Sequence, residues 1–319
     1  MKGWLSMGAK TKKKQKKIKQ KFSMQLMWKQ RYLLLMSIPF VIWLIVFKYI
    51  PLWGWTMAFQ DVKPATFALS FFERKFVGFD NFTKAFTDRI FVQTMINTIA
   101  LSILGIALGT ISAIVFALML NELRYVGFKK ITQTISYLPH FVSWVVIASI
   151  AKMVFNDGGM IDSITGKNLK LMSTNSALFW VVICIINVWK EVGWDAIVYL
   201  SAMAGIDQGL YEAAKVDGAN RLQRIWHITL PGIKPTVVVL LIMSIGSALN
   251  VGMERQMLLS NAIVQDHAMV LSWFAYLRGI GNNNYGVGTA IGMFQSLVGI
   301  TLLLIANKVA GWLGESRLV

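Results

Sequence analysis

Charge is what this sequence has least of. Only 15% of its 319 residues are Asp, Glu, Lys or Arg, against about a quarter in an ordinary soluble domain, and that shortage argues against a water-soluble globule. A single cysteine, Cys184, excludes an intrachain disulfide, and its place inside an apolar run leaves the redox compartment unread. Three histidines and no Cys/His cluster leave no zinc pattern. A phosphate-binding loop is missing too: the nearest approach, Gly159 to Gly166-Lys167-Asn168, has the wrong spacing and Asn where a magnesium ligand should stand. No Ser/His/Asp order or metal box replaces it, so the chain reads as a non-enzyme without a cofactor of its own. Acidic residues are outnumbered 15 to 32, giving a net charge of +17. Such an excess suits a nucleic-acid binder, but its distribution does not. Eleven basic residues lie between Lys2 and Arg31, ahead of the first apolar run, and the others sit mostly in short segments between later runs. No nucleic-acid partner is expected.

What is abundant is apolar sequence, at 55% of residues. A bilayer core needs about 20 predominantly apolar residues in helix. Six stretches qualify: Tyr32–Trp55, Val92–Leu120, Ile131–Phe155, Ala177–Met203, Thr236–Leu259 and Gly286–Leu313. None shows the alternation of a barrel strand, so the expected fold is an all-α integral membrane protein with six transmembrane helices. Pro39 and Pro139 fall early in their runs, where they end or kink a helix. The basic tail sets the orientation. With the N-terminus inside, 20 Lys and Arg fall on the inner side against nine outside, and without the tail the two sides balance. Both termini are therefore expected in the cytoplasm of a multi-pass protein of the cell membrane, with lipid around the spans. The domains read as a basic tail (1–31), a six-span region (32–313) that contains a cytoplasmic loop (205–234), and a C-terminal tail (314–319). A Phe-rich outer segment, 56–91, carries a short helix near Asn81–Phe86.

The loop 205–234 is too long to be a mere connector. Asp207 is placed to cap a first helix, Asp217-Gly218 to end it, and Asn220 with Gln223 to form a capping box for a second. Leu230-Pro231 is expected to break that second helix before span five. Within it, Glu212-Ala213-Ala214, then Gly218, then Ile228-Thr229-Leu230-Pro231 resembles the signature of the permease subunits of binding-protein-dependent ABC importers. Phe47-Lys48-Tyr49-Ile50-Pro51-Leu52-Trp53-Gly54, Leu138-Pro139-His140-Phe141-Val142-Ser143-Trp144 and Glu191-x-Gly193-Trp194 look like the LplB-type oligosaccharide permeases among them.

The resemblance implies a type I ABC importer permease architecture in which this loop carries the coupling helices. Glu212, Ala213, Ala214, Asp217, Gly218, Leu230 and Pro231 would then form the coupling site for a cytoplasmic ATPase. It further implies a second homologous permease subunit, two ATP-binding cassette subunits that bind ATP and magnesium, an external solute-binding protein, and oligosaccharide import in a bacterial membrane. A non-sugar solute, or ion-coupled transport without an ATPase, are the alternatives.

Ionisable residues inside a span are costly and are candidate functional groups. Glu191 and Asp195 share a face of span four, beside Lys190, with Trp194 and Tyr199 nearby. They read either as an ion pair between helices or as a polar pathway for sugar hydroxyls, to which Asn250 of span five is added. Ser244, Ser247, Asn250 and Met253 recur at helical spacing and read as contacts between helices. Gly105-x3-Gly109 and Gly288-x3-Gly292 read as close-packing positions. Lys48, Lys152, Arg255 and Arg278 fall toward the outer ends of spans, as snorkelling cations do or as an opening that favours anionic sugars would.

Overall fold

The computed structural model describes residues 28, 30–70, 72–169, 171–172 and 176–314. The tails read at 1–31 and 314–319 fall almost wholly outside them. The chain divides into two compact units, Met1–Gly54 and Trp55–Val319. In the first, α1 (Arg31–Leu44) runs through Pro39 into a π turn at Ile45–Tyr49, and the side chains of Trp43 and Phe47 lie with ring centroids 5.8 Å apart.

The second unit is helical, and the described residues hold no strand, only one isolated bridge between Gln60 and Phe76. Besides short helices at Pro64–Phe67, Met160–Thr165 and Gln265–Ala268, its described α-helices are α2 (Asp80–Phe86), α3 (Phe91–Asn121), α4 (Val126–Tyr137), α5 (Trp144–Phe155), α6 (Ser176–Ala204), α7 (Gln208–Val216), α8 (Arg221–Arg224), α9 (Leu230–Gly246), α10 (Met253–Leu259), α11 (Leu271–Tyr276) and α12 (Tyr285–Trp312). Among the described residues, five helical runs are long and apolar enough to cross a membrane: Arg31–Phe59, Phe91–Asn121, Trp144–Thr165, Arg221–Gly246 and Tyr285–Trp312. To these α6 adds a sixth long helix of 29 residues, set apart in composition by Lys190, Glu191 and Asp195.

Three expectations need correction. The run Ile131–Phe155 is not one helix. It breaks into α4, a 3-10 turn at Leu138–Phe141 and α5, because Pro139 supplies no N–H and Val142 and Ser143 are extended. The run Thr236–Leu259 also breaks: α9 ends at Gly246, and α10 begins only at Met253. By contrast, Leu230-Pro231 does not end a helix. A π turn at Ile225–Thr229 leads from α8 directly into α9, and Pro231 lies just beyond it within one continuous helical path, at the local irregularity in the hydrogen-bond ladder.

Packing centres on α3 and α6, which run against each other over most of their lengths. Leu101, Ile147, Phe179, Ile183, Leu271, Phe274 and Ile291 build one core, while Ala113, Ala117, Ala196, Tyr199, Met203 and Ile233 build a second toward the 205–234 end. Hydroxyls in the spans are turned back on their own helices: Thr98 donates to the Thr94 carbonyl at 2.7 Å, Ser201 to Ile197 at 2.9 Å and Thr301 to Leu297 at 2.8 Å. Longer polar side chains bind distant backbone. The Asn97 amide donates to the carbonyls of Asp266 (2.6 Å) and Met269 (2.9 Å), and Gln295 donates to that of Leu249 at 2.9 Å. The outer segment is fastened by the Asn81 amide, which donates to the Ala58 and Gln60 carbonyls at 3.0 and 2.9 Å.

Close helix contacts need glycine at three crossings. A Cβ on Gly193 of α6 would stand 2.1 Å from the Ser136 carbonyl oxygen of α4. One on Gly288 would meet the Gly279 Cα at 2.7 Å, and one on Gly299 would meet the Gly246 oxygen at 2.6 Å. Gly105, Gly109 and Gly292 have nothing within 4 Å, so they are not the packing positions their spacing suggested.

Gly193→Ala forces backbone against backbone and should cost about 1–3 kcal/mol. It is expected to lower the unfolding temperature of the purified protein in detergent, whereas Gly109→Ala should leave that temperature unchanged.

Candidate functional site

Two parts of the second unit gather polar groups that a lipid-facing helix would not carry. The first is a cavity of about 380 Å³ among α3, α6, α9 and α10. On α3, Ser102, Gly105 and Gly109 recur on one face, and the absent side chains leave the helix backbone bare toward the open space. The opposing face of α6 presents Trp194, Asp195 and Tyr199. The third wall exists because α9 stops. Gly246 is pressed against Leu303 and Gly299 of α12, and residues 247–252 leave the helix. Non-helical backbone at membrane depth survives only when enclosed by protein or lining a cavity, and here Ser247 and Asn250 line it. The end of α10 contributes Arg255, whose guanidinium Nη1 donates to the Asn187 side-chain oxygen and whose Cζ sits 5.7 Å from the centre of the Trp144 ring.

Beside this cavity a polar network fixes the break between α4 and α5. Lys190 is buried; its Nζ donates to the His140 carbonyl at 2.6 Å and lies 3.3 Å from Glu191 Oε1. His140 Nδ1 is 2.5 Å from Glu191 Oε2, and the imidazole stacks on the Trp194 indole at 4.4 Å and 3°. Phe141 meets Trp194 edge-on at 5.8 Å. The 3-10 turn that Pro139 imposes is thus fastened to α6 by two hydrogen bonds and a ring stack.

The second part is the 205–234 hairpin. Asp207 caps α7, its side chain accepting from the Gly209 N–H at 2.9 Å. At the other end Ala219 N–H donates to Ala214 and Gly218 N–H to Lys215, and Gly218 has φ +78°, the left-handed C-terminal motif that favours glycine. Asn220 and Gln223 form both bonds of a capping box at 2.7 and 2.9 Å. The hairpin is tied to the start of α9 by a 2.9 Å bond between the Tyr211 hydroxyl and the buried Thr229 hydroxyl. Ile206, which fills the space a Cβ on Gly232 would need, adds a second tie. Glu212, Ala213, Asp217 and Gly218 are exposed, and Glu212 has no ion pair among the described residues. Exposed Leu210, Val216, Leu222 and Trp226 surround them with apolar surface.

Of the six pathway residues read from the sequence, Trp194, Asp195, Tyr199 and Asn250 line the cavity, while Lys190 and Glu191 belong to the network beside it. Ser244, Ser247 and Asn250 do not share a helix face, because the helix ends between them; what they share is the cavity. Of the coupling residues, Glu212 to Gly218 lie on α7 and its turn, whereas Leu230 and Pro231 open α9. Sequence reasoning passed over Ser102 and Asn187 as cavity residues and over His140 as a hydrogen-bond partner of Glu191. A signal existed: Ser102, Gly105 and Gly109, and Asn187 and Asp195, are small or polar breaks in otherwise apolar runs.

Residues 105–313 match the family described as binding-protein-dependent transport system inner membrane component. The polygalacturonan/rhamnogalacturonan transport system permease protein YteP of Bacillus subtilis strain 168 is 39% identical over 305 residues, 94% of each chain. Protein LplB of the same organism is 39% identical over 287 residues, 88% of this chain and 89% of its own. A chain of a bacterial ABC transporter involved in the import of the acidic polysaccharide alginate superposes with a TM-score of 0.80 at 34% identity, covering 90% of this chain and 97% of that one. The family match, these relatives and the helical architecture agree with what the Glu212-Ala213-Ala214 hairpin implied: the chain belongs to the inner-membrane permease components of binding-protein-dependent ABC importers and has their all-α, type I permease fold.

Proposed function

We propose that this chain is one of two homologous membrane subunits that together pass an oligosaccharide from an external solute-binding protein to the cytoplasm. The observation that carries this reading is the cavity of about 380 Å³ with hydroxyl, amide and indole groups at membrane depth. Hydroxyls and amides answer sugar hydroxyls, and flat indole and phenol faces such as Trp194 and Tyr199 suit the apolar sides of pyranose rings. The cavity is open on one side, as expected of half a pathway that a second permease completes. The relatives' names, which speak of polysaccharide transport, support a sugar cargo.

Energy comes from outside the chain. Two ATPase subunits, holding ATP and magnesium themselves, engage the exposed hairpin, with Glu212, Ala213, Ala214, Asp217 and Gly218 as the docking surface. Glu212, without an ion-pair partner among the described residues, is the acid that meets a basic group there. The lysine-rich N-terminal segment keeps both termini and this hairpin on the cytoplasmic side.

Glu212→Lys and Gly218→Asp are expected to reduce sugar-stimulated ATP hydrolysis of the complete reconstituted transporter at least tenfold. Gly218→Asp also strains the φ +78° turn by about 1–2 kcal/mol. Stimulation at the unmodified level in both variants would refute the docking assignment. Uptake into vesicles should stop when ATP is depleted, even with an ion gradient maintained; uptake that follows the gradient instead would make this a secondary transporter.

A further inference from the structure

We propose that Arg255 is the residue through which the cavity selects acidic sugars, by receiving the carboxylate of a uronate unit. The inference rests on the oligosaccharide-importer reading above.

The cations near the cavity differ in what neutralises them. Lys190 is committed to Glu191 and to the His140 carbonyl. Arg278, outside the cavity, grips Asp88 with two contacts of 2.7 and 3.0 Å. Arg255 has no carboxylate partner among the described residues. Its polar contact is with the neutral Asn187 amide, its Cζ lies over the Trp144 ring, and its buried Nε has no hydrogen-bond partner among the described residues. A guanidinium has five N–H donors in a fixed fork, and most of this one's capacity is unspent beside the open space.

A partly buried cation with no anion bonded to it is costly unless one arrives to meet it, and the shape of the anion can be specified. A guanidinium fork matches the two coplanar oxygens of a carboxylate. Trp144 and Asn187 hold the plane of the fork in advance, so little ordering remains to be done when the ligand comes.

The acids around it do not bond to this guanidinium. Glu191 acts on Arg255 only through space while it is held by His140 and Lys190, and the exposed Glu254, its neighbour in sequence, makes no ion pair with it among the described residues. Asp195 lines the same cavity, but it stands eight residues along α6 from the Asn187 that holds Arg255. That is about 12 Å along the helix axis. At that remove Asp195 serves as an acceptor for sugar hydroxyls, with Trp194 beside it on the same wall. A uronate oligomer laid along α6 would therefore place a carboxylate at Arg255 and a hydroxyl-bearing ring at Asp195. A neutral oligomer satisfies only the second position.

The test uses the complete transporter with its binding protein in vesicles, and compares uptake of trigalacturonate with that of its carboxyl-reduced, neutral counterpart. The binding protein is the same throughout, so the ratio of variant to unmodified uptake for each probe isolates the permease. Arg255→Gln should lower trigalacturonate uptake tenfold or more and change uptake of the neutral probe less than twofold. Arg255→Lys, which keeps the charge but loses the fork, should retain a preference for the acidic probe at a reduced rate. Equal loss of both probes in both variants would mean a structural role and overturn the proposal, as would an unmodified transporter that prefers the neutral probe. Uptake of either probe that persists without ATP would instead strike at the importer reading, whatever Arg255 does.

Discussion

Inside a hydrocarbon layer a polar group has only the protein to bond to, and the particulars of this fold follow from how each such group is met. Hydroxyls bind the preceding turn of their own helices. Asn97 and Gln295 reach across to carbonyls that irregular backbone has left unpaired. Lys190, which would be prohibitive alone, sits among a carbonyl, a carboxylate and an indole. Where the accounting is left open, at Asp195 and at Arg255, and where the helix gives way along residues 247–252, the protein also leaves open space. The incomplete satisfaction and the cavity are the same feature seen from two sides.

The same constraint explains why the helix breaks fall where they do. Pro139 and the tight Gly246–Gly299 crossing each interrupt a span, and an interruption exposes backbone groups that must be covered. The first is covered by the His140–Glu191–Lys190 network, and the second opens onto the cavity. Both lie on walls that α6 completes, so the long helix with the most charge is also the one that touches both irregular regions.

Much of this was legible in the residues. The runs of apolar sequence gave the long helices, with α6 placed within a residue or two of its structural ends, because composition alone dictates helix in a bilayer. Asp207, Gly218 and the Asn220–Gln223 pair announced the hairpin because caps are local chemistry, decided within four residues. The errors have one origin. Whether Pro139 kinks a helix or divides it, whether Pro231 stops one or begins one, and whether Gly105 packs or stands open all depend on what lies opposite, and a sequence does not say what lies opposite. Asn187 and Ser102 escaped notice for a related reason: a lone polar residue in an apolar run looks like tolerated noise until the second helix shows that the exceptions face one another.

The unbroken helical path from Arg221 to Gly246 is 26 residues long, roughly 40 Å at 1.5 Å per residue. It begins in the exposed hairpin and finishes where residues 247–252 border the cavity. A stiff member of that length behaves as a connecting rod: a small tilt imposed at one end becomes a displacement of several ångströms at the other, delivered to a stretch of the wall held by turn hydrogen bonds rather than by a continuous helical ladder. The π turn at Ile225–Thr229 sets the rotational phase of that rod by carrying one residue more than a regular turn, so inserting or deleting a residue there would swing the far end around the axis without shortening the reach.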